Sequence, residues 1–226
     1  MKSLIEKHSL VVSCQALAHE PLHGPQHMVV MAKAALEGGG SAIRANSPED
    51  IRAMRAELGE TPIIGLWKRD HEGFDVFITP TLEDAIAVYE AGATIVAIDA
   101  TSRPRPDGRS LEETIAELNR RGIPVMADIS TYEEGIEAAK FGADYVSTTL
   151  SGYTAYTKGT QLPNLELVYR LAEVLDVPTV AEGGIGTPAE MRKALDSGAH
   201  FAVVGSAITR PQLITAEFAK ALPKPR

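Results

Sequence analysis

Lys68, Glu182, Asp128 and Arg44 each end or interrupt an apolar run, and between them they supply a base, an acid and fixed charges of both signs. Lys68 closes Ile63-Ile-Gly-Leu-Trp-Lys68. A lysine emerging from such a run is partly desolvated, which lowers its pKa and brings the neutral amine within reach. Three chemical roles suit it: a proton-abstracting base, a Schiff-base nucleophile, or a fixed cation beside a phosphate or carboxylate. A snorkelling lysine that only packs is the bland alternative. Glu182 interrupts Pro178-Thr-Val-Ala-Glu-Gly-Gly184 as an acid–base candidate, with a buried ion-pair partner as its structural reading. Asp128 follows Val125-Met-Ala and Arg44 follows Ala42-Ile, and the two extend the charge network. Gln15 ends another apolar run, where an amide can orient a hydroxyl or a second amide. Asp99 is ambiguous and equally suits a cap on the loop that follows it.

Those positions share a place in a larger pattern. Apolar runs end near Gln15, Arg44, Lys68, Asp99, Asp128, Thr149, Glu182 and Ser206, and an amphipathic, helix-like segment precedes each run after the first. Strands are expected at 10–15, 41–46, 63–68, 94–100, 124–129, 145–150, 179–183 and 201–207. They are rich in Val, Ile and Ala and nearly continuous in hydrophobicity, as parallel strands buried on both faces are. The pattern predicts one α/β domain over residues 1–226: a (β/α)8 TIM barrel whose parallel strands aim their C-terminal ends at one face. Lys68 and Glu182, far apart in the chain, then converge there.

Helix starts are legible. Ser47-Pro-Glu-Asp50, Thr81-Leu-Glu-Asp84, Ser110-Leu-Glu-Glu113, Thr131-Tyr-Glu-Glu134 and Thr187-Pro-Ala-Glu190 each place a Ser or Thr cap three residues before an acid. The hydroxyl accepts from an orphan N–H and the acid suits the positive helix end, so these acids read as structural. Pro48 and Pro188 take first helical positions. Gly92-Ala93, Gly142-Ala143 and Gly198-Ala199 lead into the fourth, sixth and eighth strands, while Pro62, Pro124 and Pro178 lead into the third, fifth and seventh, a two-unit repeat expected of a repetitive barrel. Two longer loops, 70–80 with the apolar stretch 74–78 as a small flap, and 100–109 with Arg103, Arg105 and Asp107, are expected on the active-site face.

Glu182-Gly-Gly-Ile-Gly186 and Val204-Gly-Ser-Ala-Ile-Thr-Arg210 follow the seventh and eighth strands, where barrels often bind phosphate. Glycine lets backbone N–H groups approach an anion, and Arg210 adds a charged clamp. Closure of tight turns is the alternative use of these glycines.

A chain of 226 residues buries a sizeable core without disulfides or metals. Its single cysteine, Cys14, excludes an intramolecular disulfide and reads as a small buried hydrophobe. Net charge −8 argues against general nucleic-acid or membrane-surface binding. The stretch from Met1 to Leu10 carries Lys2, Glu6, Lys7 and His8 and no signal-peptide apolar core. No apolar run approaches the roughly 20 residues of a membrane span, so a soluble cytoplasmic protein is expected. His19, His23 and His27 are interrupted by Pro21, Gly24 and Pro25 and make no convincing metal site. P-loop, H-E-x-x-H and nucleophile-elbow signatures are absent, so side chains are expected to carry the chemistry without a cofactor.

Taken together, Val12-Ser-Cys-Gln-Ala16, Gly65-Leu-Trp-Lys-Arg-Asp70, Asp99-Ala-Thr-Ser-Arg-Pro-Arg-Pro-Asp-Gly108, Met126-Ala-Asp-Ile-Ser130, Ser147-Thr-Thr-Leu-Ser-Gly-Tyr-Thr154, Ala181-Glu-Gly183 and Val204-Gly-Ser-Ala-Ile-Thr-Arg-Pro211 closely resemble the N-acetylmannosamine-6-phosphate 2-epimerase family. The resemblance implies interconversion of N-acetylmannosamine 6-phosphate and N-acetylglucosamine 6-phosphate, in sialic acid breakdown, without metal or nucleotide. It places Lys68 and Glu182 as acid–base residues, with Arg44 and Asp128 as their polar partners. Gln15 and Tyr153 fall at substrate-binding positions, and Gly183, Gly184, Gly205, Ser206 and Arg210 in the phosphate-binding segments. It also implies a homodimer, to which the apolar segment 213–222 would contribute. The chain departs from the family pattern at Gly184 and Gly186, where larger or polar residues are usual, so donors from that loop are expected to be backbone N–H groups. Trp67 is bulkier than the usual neighbour of the lysine, and either narrows the pocket or packs behind it. Two other classes fit the residue types: a Schiff-base aldolase acting through Lys68 on a phosphorylated keto acid, and a non-catalytic sugar-phosphate binder.

Overall fold

Each strand carries two apolar faces, and the helices around it cover one of them. A computed structural model describes residues 3–223; Met1, Lys2 and residues 224–226, which include part of the N-terminal stretch and of the 1–226 domain expectation, lie outside the described residues. The strands β1 (Ser9–Cys14), β2 (Ala42–Asn46), β3 (Ile63–Leu66), β4 (Ile95–Asp99), β5 (Val125–Asp128), β6 (Tyr145–Ser147), β7 (Thr179–Glu182) and β8 (Phe201–Val204) pair in parallel and in order, and β1 closes onto β8. Between them run α1 (Pro25–Glu37), α2 (Pro48–Leu58), α3 (Leu82–Glu90), α4 (Leu111–Arg120), α5 (Tyr132–Lys140), α6 (Leu165–Ala172) and α7 (Pro188–Asp196). A short α8 (Ser206–Thr209) and α9 (Pro211–Ala219) follow the last strand. The (β/α)8 TIM barrel expected from the sequence is the fold.

Side chains alternate across every strand with period two. Val11, Ala42, Ile64, Leu66, Ala97, Met126, Tyr145, Val180, Phe201 and Val203 fill the barrel interior. Ile43, Ala45, Ile63, Val96, Ile98, Val125 and Ala127 face the helices. Parity fixes what meets the cavity, because Arg44, Lys68, Asp128 and Glu182 lie on the inward-facing count of their strands. Trp67 lies on the outward count. It packs with the helix-facing core beneath the Arg69 guanidinium, 4.6 Å from its ring centroid, and so packs behind the lysine.

Several strands stop short of the expected ends. Pairing finishes at Leu66 where 68 was expected, at Ser147 where 150 was expected, and at Val204 where 207 was expected. After β6 the loop buries Thr148 and Leu150, and after β3 and β8 the apolar Trp67 and Ala207 stay partly covered, so hydrophobicity continues after the ladder ends. Ser206–Thr209 is helical. The caps behave as the sequence predicts: Thr81, Ser110 and Thr131 complete reciprocal capping boxes, and Ser47 and Thr187 accept from the Asp50 and Glu190 N–H groups.

The long loop after β3 forms a small antiparallel excursion in which Lys68 bridges Ile78 and the Arg69 N–H donates to Phe77 O at 3.0 Å. This is the expected flap, and it returns Phe77 and Ile78 to the cavity wall. The loop after β4 is tied down by its own arginines. Arg103 pairs with Asp99 at 2.6 Å, and buried Arg105 donates to the carbonyls of Asp99 and Thr79, so both arginines hold the loop itself. Asp99 also accepts from the Thr101 N–H and hydroxyl, which makes it a loop cap. Cys14 is buried in the helix-facing core, and burial pushes its thiol up to about 12.

Candidate active site

At the C-terminal mouth of the barrel lies a cavity of about 710 Å³. Its floor is an ion cluster built by three strands. Arg44, the inward residue of β2, is 1% exposed and reaches across to Asp128 of β5 and Glu182 of β7. Its guanidinium meets Asp128 through Nη2–Oδ2 at 2.5 Å and Nη1–Oδ1 at 3.2 Å, and Glu182 Oε2 at 2.8 Å. Burial opposes the arginine charge, but Asp128 and Glu182 outweigh it and hold the group above its ordinary pKa. Arg44 is therefore a cation locked between two carboxyl groups.

Lys68 stands beside this cluster, two residues beyond β3, with its backbone N–H bound to Asn46 Oδ1 at 2.8 Å. Burial, with the Arg44 charge adding to it, brings the Lys68 ammonium down to about 8 despite the opposing pull of Glu182 and Asp128. Glu182 shows the complementary displacement. Burial, reinforced by Asp128, raises its carboxyl to about 7 against Arg44, Thr149 and Lys68. An amine that sheds its proton readily and a carboxyl that keeps its own thus face one space, the combination that general acid–base chemistry near neutral pH requires.

Polar groups along the rim have fixed places. Gln15 donates through Nε2 to Ser13 Oγ at 2.8 Å, and its buried Oε1 has no partner, leaving an acceptor at the cavity wall. Gly183 and Gly184 adopt φ of 107° and 72° after β7. At Gly184 a Cβ would stand 2.4 Å from Leu162 Cβ, so only glycine lets the two loops meet. Gly205 and Ser206 form the opposite rim, where first-turn N–H groups of α8 lack intrahelical partners. Arg210 lies over this rim with its guanidinium braced by Glu20, Nε–Oε1 at 3.0 Å and Nη2–Oε2 at 3.0 Å. Tyr153, 58% exposed, stands at the mouth. All the site residues singled out from the sequence therefore line or underlie this one cavity.

Sequence reasoning missed three groups. Thr149 Oγ1 contacts Asp128 and Glu182 at 2.7 and 3.2 Å, Ser13 holds Gln15, and Glu20 braces Arg210. Inward parity along Tyr145, Ser147 and Thr149 was the available signal for the first. Glu20 had none, since only folding brings the first loop to the last. Among the described residues no cluster of His, Cys, Asp and Glu is arranged to hold a metal ion, and His23 Nδ1 lies 3.3 Å from Ala16 O.

Residues 28–224 match the NanE family, described as "Putative N-acetylmannosamine-6-phosphate epimerase". The chain belongs to this family. A relative from Clostridioides difficile, named "Putative N-acetylmannosamine-6-phosphate 2-epimerase", is 49% identical over 216 residues, covering 96% of each chain. Another of that name, from Caldanaerobacter subterraneus subsp. tengcongensis, is 54% identical over 214 residues, covering 94% of this chain and 90% of the relative. The solved N-acetylmannosamine-6-phosphate 2-epimerase from Clostridium perfringens superposes with a TM-score of 0.92 at 46% identity, over 96% of this chain and 95% of that one.

Proposed function

We propose that this family member epimerises C2 of N-acetylmannosamine 6-phosphate to give N-acetylglucosamine 6-phosphate, by removing and returning the proton next to the open-chain aldehyde. The observation that carries the reading is the facing pair of Lys68, drawn down to about 8, and Glu182, raised to about 7, in one desolvated cavity. Inversion at C2 needs the sugar opened first, because only the aldehyde acidifies the C2 proton. Glu182 assists ring opening or supplies a proton to the other face, and the neutral Lys68 amine takes the C2 proton. Arg44, fixed on Asp128, supplies positive charge beside the enolate-like oxygen. Gln15 Oε1 accepts from a substrate N–H or O–H, and Tyr153 covers the mouth.

The phosphate sits between Gly183 and Gly184 on one rim and Gly205 and Ser206 on the other, with Arg210 above. Holding this remote group positions C2 over the amine and raises the rate through orientation. The whole chain works as one barrel domain in the cytoplasm. It acts as a homodimer through α9, whose Leu213 and Phe218 are exposed; sedimentation at a single monomer mass would remove the dimer from this picture. The described residues include no helix long and apolar enough to cross a membrane.

A proton NMR time course of N-acetylmannosamine 6-phosphate with the protein in heavy water tests the function. The expected result is growth of N-acetylglucosamine 6-phosphate carrying deuterium at C2. An unchanged, undeuterated sugar in the presence of folded protein would overturn the reading.

A further inference from the structure

Thr149 continues the inward row of Tyr145 and Ser147, and its hydroxyl is the centre of an oxygen cluster. Oγ1 lies 2.7 Å from Asp128 Oδ1, 2.8 Å from Ser147 Oγ and 3.2 Å from Glu182 Oε2. A threonine hydroxyl has one proton to give and two lone pairs to accept with. Asp128 is an acceptor held by Arg44 at both oxygens, and it makes the shorter of the two carboxyl contacts. With the Thr149 proton given to Asp128, the fully buried Ser147 hydroxyl, 2.8 Å away, is left to donate into one Thr149 lone pair. The other lone pair faces Glu182 Oε2, which also accepts from Arg44 Nη1 at 2.8 Å. While the Thr149 proton stays on Asp128, that contact closes as a hydrogen bond when Glu182 brings the proton; with the hydroxyl turned, Thr149 donates to Glu182. With Glu182 ionised, two carboxylates compete for one hydroxyl proton.

We propose that Thr149 is a positioning residue for the Glu182 proton: its hydroxyl accepts from protonated Glu182 in the resting site, and rotates to donate to the carboxylate once that proton has gone to the bound sugar. One O–H bond breaks at Glu182 and one forms on a sugar oxygen, while Thr149 keeps its own proton throughout. Asp128 loses the hydroxyl during the rotation but retains both Arg44 bonds. The charged groups facing Glu182 are Arg44 from β2, Lys68 beyond β3 and Asp128 from β5, with Arg210 beyond β8 acting on Lys68. Thr149 is the neutral member of this set that can change from acceptor to donor. The inference rests on the proposed epimerase reading for the step it serves.

The test follows the Glu182 carboxyl directly, without substrate, by carbon NMR of protein labelled at the glutamate carboxyl, with Glu182→Gln assigning the signal. A hydrogen bond to a carboxylate is roughly twice as strong as a neutral one, so losing it penalises the ionised form more. Thr149→Val is expected to raise the titration midpoint by about one pH unit, and Thr149→Ser to restore it. The acidic limb of kcat/KM moves the same way in the valine variant. If valine is not accommodated, Thr149→Ala removes the same hydroxyl with less bulk. An unmoved midpoint in the hydroxyl-free variants, or a rate loss equal at every pH, overturns the proposal. A moved midpoint in a protein that fails to epimerise would overturn the epimerase reading instead, and leave the hydroxyl's hold on Glu182 standing.

Discussion

An amine and a carboxyl placed in one desolvated cavity have their ionisations drawn toward each other. The base form of Lys68 grows as pH rises through about 8, and the acid form of Glu182 fades as pH rises through about 7. If turnover needs both forms, kcat/KM follows a bell with its maximum between those values, and the two limbs belong to the interacting pair. Rates measured across the neutral range check this, and a flat profile would count against it. The lysine also has a stability consequence. Its folded-state pKa lies below the ordinary 10.5 of a lysine, so the folded protein bears a buried cation at a cost below about 8, and that cost vanishes as pH rises toward 10.5. Lys68→Met is therefore expected to abolish deuterium incorporation at C2 while raising Tm by about 2 °C or more. A folded variant with lower Tm would show that the lysine contributes more by its contacts than it costs by its charge.

Among the elements, the loops beyond β6 and β7 are held together by the absence of a side chain. Gly184 has φ 72°, and a Cβ there would press on Leu162. Gly184→Ala must therefore displace one loop and with it the glycine rim. The expected result is a roughly tenfold rise in KM for the sugar phosphate, with a smaller change in kcat. Gly122, at the opposite end of the barrel beyond α4, has a similar φ of 71° with nothing near its absent Cβ. Gly122→Ala bears only the backbone strain, about 1 kcal/mol, and its kinetics should match those of the parent. Equal KM in both variants would show that the contact with Leu162 has no bearing on the site.

For the molecule as a whole, Arg44 ties β2 to β5 and β7 across the barrel mouth. Removing it leaves Asp128 and Glu182 facing each other in a buried space. Arg44→Ala is expected to lower stability by about 3–5 kcal/mol, a fall in Tm of about 10 °C. Arg44→Met combined with Asp128→Leu should recover most of that loss, since apolar residues replace the pair. Denaturant unfolding of the two variants measures both effects, and equal losses would place the defect in packing rather than in the stranded charge.

Much of this protein was legible along the chain because the relevant physics is local. Cap hydroxyls three residues before an acid, glycines after helices and apolar runs ending in a polar or charged residue specify eight strands and their helices in order. The barrel rule then brings Lys68, Glu182, Asp128 and Arg44 to one face. Tertiary structure decided what each group meets. Arg103 and Arg105, placed by the sequence in a loop on the active-site face, bind Asp99 and the carbonyls of Asp75 and Thr79 and so hold the loops after β3 and β4, because an arginine beside free carbonyls and a carboxylate binds whichever acceptor folding presents. Glu20 reached Arg210 only through closure of β1 onto β8. The ends of strands were obscured because the loops that follow also carry buried or partly covered apolar residues such as Trp67, Leu150 and Ala207. Whether a lysine sheds its proton or a glutamate keeps one depends on burial and on charges contributed by distant strands, quantities that come into being only when the barrel closes.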